Sequence, residues 1–278
     1  MSLLIGCDFS SSPTRRKNIV CAKGEQVGGR LVLQGIERLA SLKEFSDYLV
    51  REPSWIGAFD LPFGLPRELV TALGWPVEWE PCIRHFASLS REEIRSEFVS
   101  FCNARPVGSK FAHRATDGPA QSSSSMKWVN PPVAWMLHAG VPRLLDAGAH
   151  FPGLQSPTSG HAALGRIALE GYPGLISKAV LGSRSYKSDD KAKQTPERLI
   201  ARKDLVHALE MGQTRWGIRL KLTHAQRDAL VDDPSGDSLD AALCLTLAAW
   251  AEVQHQGGDL RYGLPQKVDP LEGWIVSA

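Results

Sequence analysis

Leu3-Leu4-Ile5-Gly6-Cys7-Asp8 is an apolar run that ends abruptly in an acid, and the reading of the fold turns on it. A run this short, closed by turn residues, reads as a buried β-strand. Ser10 to Pro13 make the turn, and Asn18-Ile19-Val20-Cys21-Ala22 resumes a strand. Gly28-Gly29 then punctuates a hairpin into Arg30-Leu31-Val32-Leu33-Gln34-Gly35-Ile36, because glycines adopt the backbone that tight hairpin turns need. Three strands joined by short turns are most simply an antiparallel meander.

Further along, Ser41 and Glu44 have the capping-box spacing, which predicts a helix over 42–50 that ends before Pro53. Trp55-Ile56-Gly57-Ala58-Phe59-Asp60 repeats the opening pattern of an apolar strand ending in an acid. Arg166-Ile167-Ala168-Leu169-Glu170 repeats it again before Gly171-Tyr172-Pro173. A basic helix is expected over 196–211. After Pro234-Ser235-Gly236, an apolar helix over 238–254 should pack on the sheet with little exposed face. The fold class expected is α/β, a mixed sheet of three antiparallel strands followed by alternating helices and parallel strands. Residues 1–60 and 166–278 form the core. Residues 61–165 form an insertion or cap within the same domain, mainly helical, with helices near 91–101 and 133–146. The serines at 122–125 predict a mobile loop.

Composition limits the choice of function. The 278 residues carry 32 Lys plus Arg and 30 Asp plus Glu, a formal charge of +2. The chain is therefore no polyelectrolyte, and nucleic-acid contact would have to come from local patches. Such patches exist. Residues 228–260 hold seven acids and no Lys or Arg, whereas 184–203 hold seven bases against three acids, and 84–127 seven against four. The five cysteines form no CxxC pair, and three of them lie in apolar runs as small hydrophobes. No signal-peptide order is present at the N-terminus, and the longest apolar stretch, 239–251, is too short for a bilayer and contains Asp240. These features predict a soluble, reduced, cytoplasmic protein with no membrane partner.

The chemistry is carried by the acids. Asp8, Asp60 and Glu170 each end an apolar strand and lead into a loop, where α/β sheets collect functional groups. Asp237 and Asp240 start the last helix three residues apart, on one face. Carboxylates gathered together stay ionised only if cations neutralise them, and oxygen-only ligands suit magnesium or manganese. Two such ions about 3.5–4 Å apart activate water and stabilise the leaving oxygen in phosphodiester hydrolysis. In this reading Asp8 bridges the metals, Asp60 and Asp240 complete the shells, and Asp237 or Glu170 binds metal or holds the attacking water. Each residue alone has a plainer role. Strand-end aspartates cap the following turn, Asp237 and Asp240 suit a helix start, and Glu170 suits a basic neighbour. Capping does not, however, account for acids at three strand ends in this element order.

In that order and those acids the chain resembles the RNase H-like superfamily. Asp8 matches its first-strand aspartate, and Asp60 its acid at the fourth strand. Asp237-Ser238-Leu239-Asp240-Ala241-Ala242-Leu243 looks like the final-helix aspartate pair of RuvC-type resolvases. More closely, the chain resembles a family of predicted nucleases of bacteria and archaea described as a domain of unknown function. The matching pieces are Gly6-Cys7-Asp8, Asp60-Leu61-Pro62-Phe63-Gly64-Leu65-Pro66, Glu170-Gly171-Tyr172-Pro173, Tyr186-Lys187, Leu239-Asp240-Ala241 and Glu272-Gly273-Trp274-Ile275. Arg114-Ala115-Thr116-Asp117 resembles an arginine-containing stretch of the same family. The resemblance implies an RNase H-like fold and a nuclease. RNase H itself adds a glutamate on the first helix, for which Glu44 and Asp47 are the candidates here.

Arg114, as a bidentate fork, and Lys187, as a point charge, are candidates for substrate phosphate. Trp75, Trp79, Trp128 and Trp135 could stack on unpaired bases or fill a small core. The eight histidines show no HxxxH or HExxH spacing, and neither GxSxG nor GxxxxGK[ST] occurs, which argues against a zinc hydrolase, a serine hydrolase and a P-loop nucleotidase. The expectation is a magnesium- or manganese-dependent nuclease acting on DNA or RNA. The alternatives are a non-catalytic nucleic-acid-binding module of the same fold, or a hydrolase of a small phosphorylated or nucleotide substrate over which 61–165 closes.

Overall fold

A computed structural model describes residues 2–156 and 165–278. Residues 157–164, at the end of the predicted 61–165 insertion, lie outside the described residues. The opening strands are β1 (Leu4–Asp8), β2 (Ile19–Val27) and β3 (Arg30–Leu39), followed by helix α1 (Leu42–Arg51) and strand β4 (Trp55–Asp60). The insertion supplies α2 (Arg67–Ala72), α3 (Trp79–Ser88), α4 (Arg91–Asn103), α5 (Asp117–Ala120) and α6 (Val133–Asp146). Then come β5 (Arg166–Glu170), α7 (Pro173–Leu181), α8 (Pro196–Met211), β6 (Leu220–Lys221), α9 (His224–Asp232) and α10 (Asp237–Gln256).

The strands form one six-stranded sheet in the order β5-β4-β1-β2-β3-β6. β1, β2 and β3 are the antiparallel meander the sequence predicts, while β4 and β5 join β1 in parallel. The fold is thus α/β with a mixed sheet. The short edge strand β6, parallel to β3, is too brief to leave a periodic signal. Its backbone pairing is what defines it.

Side chains alternate between the two faces of a strand, and two hydrophobic clusters result. One face packs against α1 and the insertion helices through Ile5, Cys7, Phe45, Phe59, Phe86, Phe98 and Leu144. The other packs against α7, α8 and α10 through Leu4, Val20, Ile56, Ala58, Leu205 and Leu243. The insertion therefore shares a core with the sheet. Trp75 and Trp79 are buried in that core, and Trp128 and Trp135 pack partly buried against it. Their indoles serve packing; Trp79 Nε1 donates to the Phe63 carbonyl at 2.7 Å.

The serines at 122–125 do not form the loose loop their composition suggests. Ser124 and Ser125 are fully buried, and Ser124 Oγ donates to the Ala112 carbonyl. A hydroxyl satisfied by nearby backbone lets a small polar residue enter a core. Glu44 forms only half of the predicted capping box, its carboxylate serving the Ala40 N–H and not the Ser41 N–H. Its backbone N–H donates to Ser41 Oγ at 3.1 Å, and its carboxylate accepts from the Ala40 N–H at 2.9 Å. Asp47 pairs with Lys43 in solvent at 2.6 Å. Neither acid of the first helix reaches the strand-end carboxylates. Among the described residues, no helix is long and apolar enough to cross a membrane, and all five cysteines are buried free thiols.

Candidate active site at the carboxyl edge of the sheet

Parallel pairing of β1 with β4 places Asp8 opposite Asp60. Leu4 on β1, with Ile56 and Ala58 on β4, belongs to the cluster beneath α10. Asp8 and Asp60 keep the same even spacing, so they emerge on that face at the strand ends. Gly6 explains why α10 can join them. A Cβ at Gly6 would stand 2.0 Å from the Leu245 nitrogen and 2.1 Å from the Ala241 carbonyl oxygen. The α10 backbone therefore rests directly on β1, and its first turn carries Asp240 to the carboxylates of Asp8 and Asp60.

The start of α10 is set by a device the sequence did not signal. Asp233 accepts from the backbone and hydroxyl of Ser235 at 3.1 and 2.6 Å, and from the backbone and hydroxyl of Ser238 at 3.1 and 2.8 Å. Arg38 also donates to it, at 3.2 Å. Burial alone would raise this carboxyl, but these hydrogen bonds pull it down to about 2. The turn ends at Gly236, whose φ of +77° favours glycine. A Cβ there would also stand 2.8 Å from the Cβ of Lys187.

Lys187 is the cation of the site. Its ammonium donates to one oxygen of Asp240, and the Tyr186 hydroxyl donates to the other. Arg202, itself buried, holds this dipeptide in place by donating to the Tyr186 carbonyl at 2.8 Å and to the Val231 carbonyl at 2.5 Å. Asp237 faces Lys17, whose ammonium lies 3.4 Å from its carboxylate and 3.2 Å from Asp189. Tyr186 and Lys17 were not identified as site residues from the sequence. The Tyr186-Lys187 pair was a visible signal for the first, whereas nothing local marks Lys17.

Asp8 and Asp60 are half-buried, and their carboxylates accept no hydrogen bond from any described residue. Burial pushes the Asp8 carboxyl well above the usual range, with Asp240 and Asp60 adding to the push and Lys187 opposing it. Burial followed by the charge of Asp240 raises Asp60 to about 7. Burial would lower the Lys187 ammonium, but Asp240, Asp8 and Asp60 hold it above its ordinary value. One ammonium thus stands against three carboxylates. Among the described residues, no three His, Cys, Asp or Glu side chains are placed as they stand to hold a metal ion. The donor chemistry nonetheless fits a hard cation, since every ligand offered is a carboxylate oxygen and two of the three are unpartnered.

Glu170 does not join this group. On β5 it lies opposite Phe59, not Asp60, and a one-residue offset in a strand turns the side chain to the other face. There it meets Arg114 in a bidentate pair at 2.7 and 2.8 Å and accepts the Phe63 N–H at 2.9 Å. Arg114 also donates to Asp117 and to the Glu272 carbonyl. All five of its N–H groups thus have protein acceptors, and its side chain is 2% exposed, so no donor is left for a substrate phosphate. Glu272 clamps the same region, accepting the Arg67 and Ala115 N–H groups at 2.8 and 2.9 Å. Arg114 and Glu170 therefore join the insertion to β5 and the C-terminal segment. Of the seven predicted site residues, the structure gathers Asp8, Asp60, Asp240 and Lys187, sets Asp237 beside them with Lys17, and pairs Arg114 with Glu170 on the other face, from where the charge of Glu170 still adds to the push on Asp60. No protein-family model, curated protein or solved structure matches this chain.

Proposed function

We propose that the chain is a metal-dependent phosphodiester hydrolase acting on nucleic acid, with an RNase H-like core. The observation that carries this reading is the pair of register-aligned carboxylates, Asp8 and Asp60, left without hydrogen bonds beside a fully buried Asp240. Like charges gathered in a partly buried site are costly to the fold and are characteristic of functional sites. The strand order β3-β2-β1-β4-β5, with β1 central, supports the RNase H-like reading.

Asp8, Asp60 and Asp240 would hold magnesium or manganese once Lys187 leaves Asp240, with Asp237 next to them. The bound ions would supply Lewis-acid activation of water and stabilisation of the leaving oxygen. The chain's own residues do the rest. Tyr186 fixes the orientation of Asp240, and Gly6 keeps α10 against β1. Lys187, 42% exposed at its side chain, is free to turn its ammonium to a phosphate oxygen when a metal takes its carboxylate.

The Lys187–Asp240 pair also favours a second reading, a nucleic-acid-binding module whose carboxylates are neutralised by the chain itself. Calorimetry with magnesium and manganese on the parent and on Asp8→Asn, with labelled single-stranded, duplex and branched substrates, separates the two. The hydrolase reading expects divalent binding and cleavage in the parent, both lost in Asp8→Asn. Absence of divalent binding in the parent, or equal cleavage by both proteins, refutes it.

A further inference from the structure

A cavity of about 210 Å³ opens beside Asp60, where the ends of β4 and β5 meet the insertion and the C-terminal segment. Its walls are largely apolar, formed by Pro62, Val133, Met136, Tyr172 and Ile275, with Ser123 as a polar group. It is smaller than the roughly 300–1,000 Å³ of pockets that enclose a whole drug-sized ligand, so it fits one ring-sized part of a larger molecule. Its charged lining is Asp60, Glu170 and Arg114, and Arg114 has no donor to give. An anion is therefore repelled from this cavity. What enters must be uncharged and apolar-faced, on a molecule whose anionic part lies outside.

Tyr172 is set in place before any ligand arrives. Lys178 lies 5.3 Å from its ring centroid and is anchored on the Gln121 carbonyl at 2.7 Å. Gly174 leaves the space the ring occupies; a Cβ there would stand 2.4 Å from the ring. A ring fixed in this way can act as a stacking surface with little ordering cost.

We propose that this cavity takes a single unstacked nucleobase of the substrate whose phosphate lies at Asp8, Asp60, Asp240 and Lys187. The proposal rests on the phosphodiester reading and narrows it, because a base stacked and paired inside a duplex is not free to enter a cavity of this size. The substrate is single-stranded or carries an extruded base. Ser123, with no hydrogen bond to any described residue, is the group that meets the base edge.

The test measures binding of two short oligomers of equal length, one intact single strand and one abasic, with Mg²⁺ present. It uses the parent, Met136→Trp and Ser123→Trp, the two variants filling the cavity from different segments, with thermal melts to verify folding. The intact strand should bind the parent about tenfold or more tighter than the abasic strand, and either folded variant should erase that difference. Equal binding of the two oligomers to the parent, a difference that survives in a folded variant, or no binding of either oligomer overturns the proposal. Calorimetry with Mg²⁺ alone reports separately on the carboxylates: metal binding by the parent alongside equal binding of the two oligomers to the parent rejects the base cavity and leaves the metal site standing.

Discussion

Gly6→Ala is the most direct probe of how the site is assembled. Ordinary van der Waals contact begins at 3.4 Å, and the added methyl would stand 2.0 Å from the Leu245 nitrogen, so α10 must retreat from β1 by about 1.4 Å. The obstructing atoms are helix backbone, which cannot turn aside as a side chain can. Overpacking of a core costs about 1–3 kcal/mol, and backbone obstruction places this substitution at or above the upper figure. For a chain of this size that is a fall in melting temperature on the order of 10 °C. Asp240 lies next to Ala241 on the displaced helix, so the substitution should also separate it from Asp8. A misplacement of about 1 Å is enough to cost roughly 100-fold in turnover. The control is Gly35→Ala on β3, where a Cβ would meet nothing within 4 Å, and where stability should change by less than about 1 kcal/mol. Melting curves and divalent-metal calorimetry on both variants are the assay. A Gly6→Ala protein that melts with the parent and binds metal unchanged refutes the close approach as the basis of the site.

Other consequences follow from the same geometry. Asp8→Asn should raise the melting temperature at neutral pH, because it removes one of three mutually repelling carboxylates, of which Asp8 and Asp60 are half-buried and Asp240 fully buried; a lower melting temperature would contradict the repulsion. Arg114→Ala should cost about 3–5 kcal/mol in urea unfolding by leaving Glu170 and Asp117 buried without their partner, and Arg114→Lys should rescue little of it, since a point charge cannot serve both. Asp233 has its folded pKa lowered to about 2 from 3.8, so its contribution is complete above the unfolded value and is lost as pH falls through the folded one. That contribution is about 2 kcal/mol, and the stability gap between parent and Asp233→Ala should be present at pH 7 and close towards pH 2. A gap that widens in acid would reverse the sign.

The elements that carry strong local signals were legible in the chain itself. The apolar runs ending at Asp8, Asp60 and Glu170 are β1, β4 and β5, and the helices expected over 133–146 and 196–211 are α6 and α8. The helices α2, α3, α5, α7 and α9 and the strand β6 were not foreseen. Trp79–Ser88 lies among prolines and tryptophans that obscure its period, and Leu220–Lys221 exists only by pairing with β3.

For the site, the residue types and the strand ends were visible from the sequence, because burial on a strand and a polar exit into a loop leave a local trace. Which strand-end acids share a face was decided by tertiary structure. Asp60 pairs in register with Asp8, whereas Glu170 pairs with Phe59, and that single-residue offset comes from how the strands align in space. Partnership was likewise beyond local reading. Lys187, Tyr186 and Lys17 reach the carboxylates across sequence separations of 53, 54 and 220 residues, and contacts at such separations are set by the packing of α10 on β1. The sequence alone determines which residues can bear charge at the edge of the sheet; only the folded chain determines which of those charges confront one another.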